Sequence, residues 1–124
     1  MTGRVVHFEV PVDDFDRAQK FYRDAFGWDP TPIPAMGYTL VNTVPTGERG
    51  PLEPGAINGG LMARKPPFTG PVITIEVADI AKALDTVTRL GGEAVLGRQT
   101  VGDMGFSAYF RDTEGNLVGL WQNA

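Results

Sequence analysis

Apolar and polar residues alternate near the start of the chain. Phe8, Val10 and Val12 interleave with His7, Glu9 and Pro11, which predicts a strand over residues 4–12 with one apolar face. The period then changes. Phe15, Ala18, Tyr22 and Ala25 recur at helical spacing, so a helix follows, with Asp14 as its N-cap, Asp16 favouring its positive end and Gly27 just past its end. Phe21 and Phe26 on this helix read as core residues. Residues 29–37 hold three prolines and can form at most an irregular edge strand. Residues 38–44 and 57–63 read as strands. Between them, residues 45–56 are rich in Pro and Gly without apolar period, as in a mobile loop that covers a ligand site, and the Glu48 and Arg49 charges read as solvated surface.

After a connector at 64–71 the pattern restarts. Residues 72–77 read as a strand, and Ile80, Ala83, Leu84, Val87 and Leu90 mark one helical face that Gly91-Gly92 terminates. Residues 93–101, 106–110 and 117–122 read as three more strands, with a tight turn at 112–116. Setting Val72 on His7 brings Val77 onto Val12, Asp79 onto Asp14, Ala83 onto Ala18 and Gly92 onto Gly27 without a gap. This is an internal repeat of strand, helix and three strands. Residues 1–124 are expected to form one domain, with module one at 4–63 and module two at 72–123, each sheet backed by its helix.

Composition narrows the chemistry. In 124 residues there is no cysteine, which excludes disulfides, thiolate metal sites and a thiol nucleophile. The net charge of −4 and the scattered Lys and Arg argue against nucleic acid. No apolar run is long enough to span a bilayer and no secretory leader is evident, so no membrane partner and a cytoplasmic location are expected. The single histidine, His7, excludes a polyhistidine site within one chain.

The segments HFEVPVDDFDRAQKFYRDAFGW, INGGLM and MGFSAYFRDTEGNLVGLWQ, in this order, resemble the vicinal oxygen chelate superfamily, which includes glyoxalases, bleomycin-resistance proteins and extradiol dioxygenases. The resemblance implies an α+β fold in which two βαβββ modules form a cup-shaped mixed sheet with helices on the outer face. In metal-dependent members, four strand residues in the cup chelate a divalent ion. Carried onto this sequence, those positions are His7, Gly60, Val72 and Gly119. Only His7 can coordinate, so no metal and no cofactor are expected, with a divalent metal as the alternative.

If His7 faces the cup, strand alternation places Glu9, Thr74 and Glu76 there too, with Phe8, Val10, Ile73 and Ile75 towards the helices. His7, Glu9 and Glu76 then form a candidate acid/base group. In the other reading His7 bonds a buried polar neighbour and the two carboxylates are solvated. Trp121 shares parity with Gly119 and either stacks on a flat ligand or fills a core or dimer interface. Tyr38, Gly60, Met62, Thr74 and Gly119 complete the candidate ligand-binding set. Three functions follow: a metal-free small-molecule-binding protein; a metal-dependent lyase, isomerase or dioxygenase; or a metal-free enzyme using His7 with Glu9 or Glu76. A small-molecule ligand and a homodimer are the expected partners.

Overall fold

The computed structural model describes residues 2–124, and Met1 lies outside them. In chain order the elements are β1 (Val5–Val12), α1 (Phe15–Phe26), β2 (Asp29–Ile33), a 3-10 turn (Pro34–Met36), β3 (Tyr38–Asn42), β4 (Thr46–Gly47), β5 (Gly50–Pro51) and β6 (Asn58–Ala63). Then come β7 (Val72–Glu76), α2 (Ile80–Arg89), β8 (Glu93–Val101), β9 (Gly105–Arg111) and β10 (Leu117–Asn123). The chain divides into two compact units: residues 7–71, and residues 72–124 together with the first residues through Val6.

In the unit of residues 7–71 the strand order is β2-β3-β6-β1, with β1 parallel to β6 and the other neighbours antiparallel. The alternation read from the sequence puts Phe8, Val10 and Val12 on the helix side. There they meet Val41 and Leu61 from the neighbouring strands and Phe15 and Ala18 from α1. Asp14 caps α1 by accepting the Arg17 backbone N–H at 3.0 Å, and Gly27 closes it in the left-handed region at φ 74°. The Gly27 N–H donates to the Arg23 carbonyl, which an L side chain at that φ would resist.

The expectation for Phe21 and Phe26 is corrected. They are 58% and 67% exposed, because Phe15 and Ala18 of α1, with Trp28 just beyond the helix, face the core instead. Tyr22 stacks on Trp28 at 4.5 Å, and Phe21 stands edge-on to both Tyr22 and Phe26. The proline-rich stretch does form an edge strand, β2, in register with β3 from Asp29↔Asn42 to Ile33↔Tyr38. Within 45–56 the structure adds a hairpin of two rungs, Thr46↔Pro51 and Gly47↔Gly50.

The second unit has the order β7-β10-β9-β8, with α2 over its apolar face. Ile80, Ala108, Phe110, Val118 and Leu120 form the core, and Ile75, Val77, Ala83, Leu84 and Val87 pack against it. Two positions depart from the sequence pattern. Ile73 is 50% exposed, lying before the stretch of β7 that pairs with β10, and Leu90 is 65% exposed because the helix ends at Arg89 and Leu90 is its cap. Asp79 caps α2 through the Lys82 N–H at 3.1 Å, and the Gln122 side chain accepts from the Ile80 N–H at 2.9 Å. The turn at 112–116 is held by Asp112, whose carboxylate accepts the Glu114 and Asn116 N–H groups, both at 2.9 Å. Among the described residues no helix is long and apolar enough to cross a membrane.

Candidate functional site

The face of β1 opposite the core carries His7 and Glu9. Register fixes what lies beside them. His7 pairs with Asn58 and Glu9 with Gly60 on β6, and β6 in turn sets Gly60 against Leu40 and Met62 against Tyr38. Five of the residues singled out in the sequence therefore share one face: His7, Glu9, Tyr38, Gly60 and Met62. Glu9, Gly60 and Met62 are buried, and His7 and Tyr38 are half-buried.

The Tyr38 side chain does not stay on its own strand. It crosses β6 over Gly60, and its hydroxyl reaches His7 Nε2 at 2.8 Å. Residue 60 must be glycine for this to happen: a methyl group there would overlap the Tyr38 ring and hydroxyl. The His7 and Tyr38 ring centroids lie 6.4 Å apart with 16° between their planes. The two ring planes are thus close to parallel, with the Tyr38 hydroxyl directed at the edge of the imidazole. Burial pulls the His7 imidazole below its ordinary 6.5, against the opposing pull of Glu9, so the ring is neutral at pH 7.

Asn58, which the sequence did not single out, ties this face to the loop that follows β3. Its Oδ1 accepts the Thr43 N–H and its Nδ2 donates to Thr46 Oγ1, each at 2.8 Å. Only its pairing position beside His7 could have pointed to it.

The remaining candidates lie in the other unit. Register sets Gly119 beside Thr74 and Trp121 beside Glu76, all on the face of β7 and β10 away from α2. Glu76 is engaged there: Arg4 Nη2 donates to one carboxylate oxygen and Asn123 Nδ2 to the other, both at 2.7 Å. The Arg4 bond first, and then the Asn123 bond, hold its carboxyl below the usual range. Trp121 Nε1 donates to Asn123 Oδ1 at 2.8 Å, and its ring lies against the Gly105 backbone. A methyl at Gly119 would stand 2.8 Å from Thr74 Oγ1 and 3.3 Å from Tyr109, a second residue that the sequence reading passed over.

The divalent metal of the superfamily does not fit these residues. Position 60 has no side chain, and the space one would use is taken by Tyr38. Nε2 of His7 faces the Tyr38 hydroxyl, and Val72 and Gly119 offer no donor atom. Among the described residues no group of three or more His, Cys, Asp or Glu converges for an ion.

Comparison with known proteins agrees with the fold. Residues 4–44 match the family model described as bleomycin resistance protein-like N-terminal. The chain is 32% identical over 120 residues to a glyoxylase-like domain-containing protein of Didymella fabae, covering 92% of this chain and 89% of that one. It is 31% identical to CFP32 of Mycobacterium tuberculosis, which is named as a glyoxylase, and spans 43% of that longer protein. A solved glyoxalase/bleomycin resistance/dioxygenase superfamily member from Vibrio splendidus 12B01 has the same fold, with a TM-score of 0.64, 18% identity and 98% and 100% of the two chains covered. With a relative at this identity matched over nearly its whole length, the chain belongs to the glyoxalase/bleomycin-resistance family of the vicinal oxygen chelate superfamily.

Proposed function

We propose that this protein binds a small molecule on the His7–Tyr38 face without a resident metal or cofactor. The observation that carries the reading is the Tyr38 side chain lying over Gly60 with its hydroxyl 2.8 Å from His7 Nε2. Where metal-dependent relatives would present chelating oxygens, this chain presents a phenol hydrogen-bonded to a neutral imidazole. Such a pair can donate and accept hydrogen bonds but cannot hold an octahedral ion.

The test is calorimetric titration of the purified protein with Ni, Zn, Mn and Fe, beside a His7→Ala variant. The expected result is no submicromolar affinity in either. Submicromolar affinity in the wild type that disappears in the variant overturns the reading.

A second reading, catalysis by His7 as a general base, is supported by its neutral ring and its electrostatic coupling to Glu9. Glu76 enters neither reading, because Arg4 and Asn123 fix it as an anion. The proposal includes pairing of two chains, which the exposed Phe21 and Phe26 on α1 support. Sedimentation as a monomer at micromolar concentration would remove that part.

A further inference from the structure

We infer that the cavity between the end of α1 and the loop after β3 is a binding site for a small organic cation of the guanidinium class. It is a second site. Its lining includes none of His7, Tyr38 and Gly60, so it stands apart from the metal-free reading of the His7–Tyr38 face.

The cavity lies within the unit of residues 7–71 and holds about 360 Å³, the small end of the range for ligand pockets. Gly27, Asp29 and residues 42–46 line it. Ladder pairing sets Asp29 directly opposite Asn42, so the two side chains share one face at the end of β2 and β3. Among the described residues, neither the Asp29 carboxylate nor the Asn42 amide has a hydrogen bond or an ion pair.

The facing wall is held in place. Asn58 accepts the Thr43 N–H and donates to Thr46 Oγ1, each at 2.8 Å, and the Leu52 N–H donates to the Pro45 carbonyl at 2.9 Å. A wall fixed beforehand loses little freedom when a ligand arrives.

The groups left over are mostly acceptors. The Thr43 hydroxyl gives its hydrogen to the Ile57 carbonyl at 2.6 Å, and the Thr46 hydroxyl gives its own to the Val44 carbonyl at 2.9 Å. The Thr43 N–H is already used, and Pro45 has none. The Asp29 carboxylate, the Asn42 amide oxygen and the free lone pair of the Thr43 hydroxyl are available to a ligand. Charge agrees with this. Gly27 closes α1, so the negative pole of a 12-residue helix lies at the cavity. No Lys, Arg or His lines it. Arg23, in the last turn of α1, has its Nε 3.7 Å from Asp24 Oδ1 and makes no pair with Asp29.

The single carboxylate sets the ligand class. A calcium ion takes about six or more oxygen ligands, and among the described residues no three His, Cys, Asp or Glu side chains converge. A guanidinium carries one charge and several N–H donors in one plane, which a carboxylate and a neighbouring amide oxygen match.

Methylguanidinium and tetramethylammonium separate charge from hydrogen bonding, since both are singly charged and only the first has N–H groups. Each is titrated into the whole chain, wild type and Asp29→Asn, and followed by NMR at the backbone amides of Gly27, Asn42, Thr43 and Thr46. Methylguanidinium should shift these signals saturably, and tetramethylammonium should bind at least about tenfold more weakly. Asp29→Asn keeps the shape, removes the charge and should weaken methylguanidinium by about tenfold, the loss of one charge-assisted bond. Equal binding of the two cations, an unchanged affinity in Asp29→Asn, or no saturable shift overturns the inference. So does calcium chloride saturating the same signals at lower concentration than methylguanidinium, which assigns the cavity to an inorganic ion. An Ala-Arg-Ala tripeptide that saturates them at lower concentration assigns it to an arginine of a protein partner and overturns the small-molecule assignment.

Discussion

Replacing Gly60 by alanine adds a single methyl group, and the structure states what that group meets. The three atoms nearest to it all belong to the Tyr38 ring and hydroxyl. The ring has to leave its place. Forcing a methyl into a filled position costs about 1–3 kcal/mol. Losing the bond between Tyr38 and His7 adds about 0.5–1.5 kcal/mol. Alanine recovers roughly 0.5–1 kcal/mol over glycine within a strand. The expected net destabilisation is about 1–3 kcal/mol. In a Tyr38→Ala background the obstacle is gone, and the same Gly60→Ala change should be neutral or mildly stabilising. The coupling between the two positions is therefore expected to be about 2–3 kcal/mol, well above the scatter for independent sites. Urea unfolding of the four proteins, followed by circular dichroism at one pH with matching slopes, measures it. NMR of the His7 ring should report loss of its partner in Gly60→Ala. If the two changes add to within about 0.5 kcal/mol, Tyr38 does not lie on Gly60 and the account of the site fails.

Two further outcomes are expected. Burial holds the His7 pKa below 6.5, so as pH falls through that value the unfolded chain takes up its proton first and the folded form is destabilised. Stability should decline from 6.5 downwards until the folded value is passed, and the urea midpoint of the wild type relative to His7→Gln should follow; a difference independent of pH between about 8 and about 5 would contradict the burial of His7. Asp14→Ala and Asp79→Ala each remove the side chain that caps a helix through the Arg17 or Lys82 N–H, and each should cost about 1 kcal/mol in the same assay. Losses under a few tenths in both would show that neither cap contributes.

What could be read from the sequence was what depends on near neighbours. The caps at Asp14 and Asp79, the left-handed Gly27 and the Asp112 turn are each set within a few residues. Strand parity follows from alternation alone, so Phe8 and Val10 were assigned to the helix side and His7 and Glu9 to the other. Parity does not say where a long side chain lies on its face. Tyr38 and Gly60 both belong to the candidate ligand-binding set, yet nothing in their spacing shows that one lies on the other and reaches a residue 31 positions away. Phe21 and Phe26 were misplaced for a related reason. An aromatic residue off the main stripe of a helix can serve the core or its rim, and Trp28, beyond the helix end, took the core position. The Arg4–Glu76–Asn123 chain joins residues far apart in sequence and lay beyond any local pattern.

The prolines of β2 bear on a different matter, the growth of the sheet. Pro30 and Pro32 pair with Val41 and Thr39, and a proline has no N–H to donate. The bonds holding β2 to β3 must therefore run through Asp29, Thr31 and Ile33, which turns positions 30 and 32 to the outside. Along that rim the backbone offers carbonyls but none of the amide hydrogens that an incoming strand would need. The border of these four strands is chemically closed to strand addition, a safeguard against the edge-to-edge pairing that begins many aggregates. Thr in place of both prolines would return the donors and, with them, the exposure to self-association that the native sequence avoids.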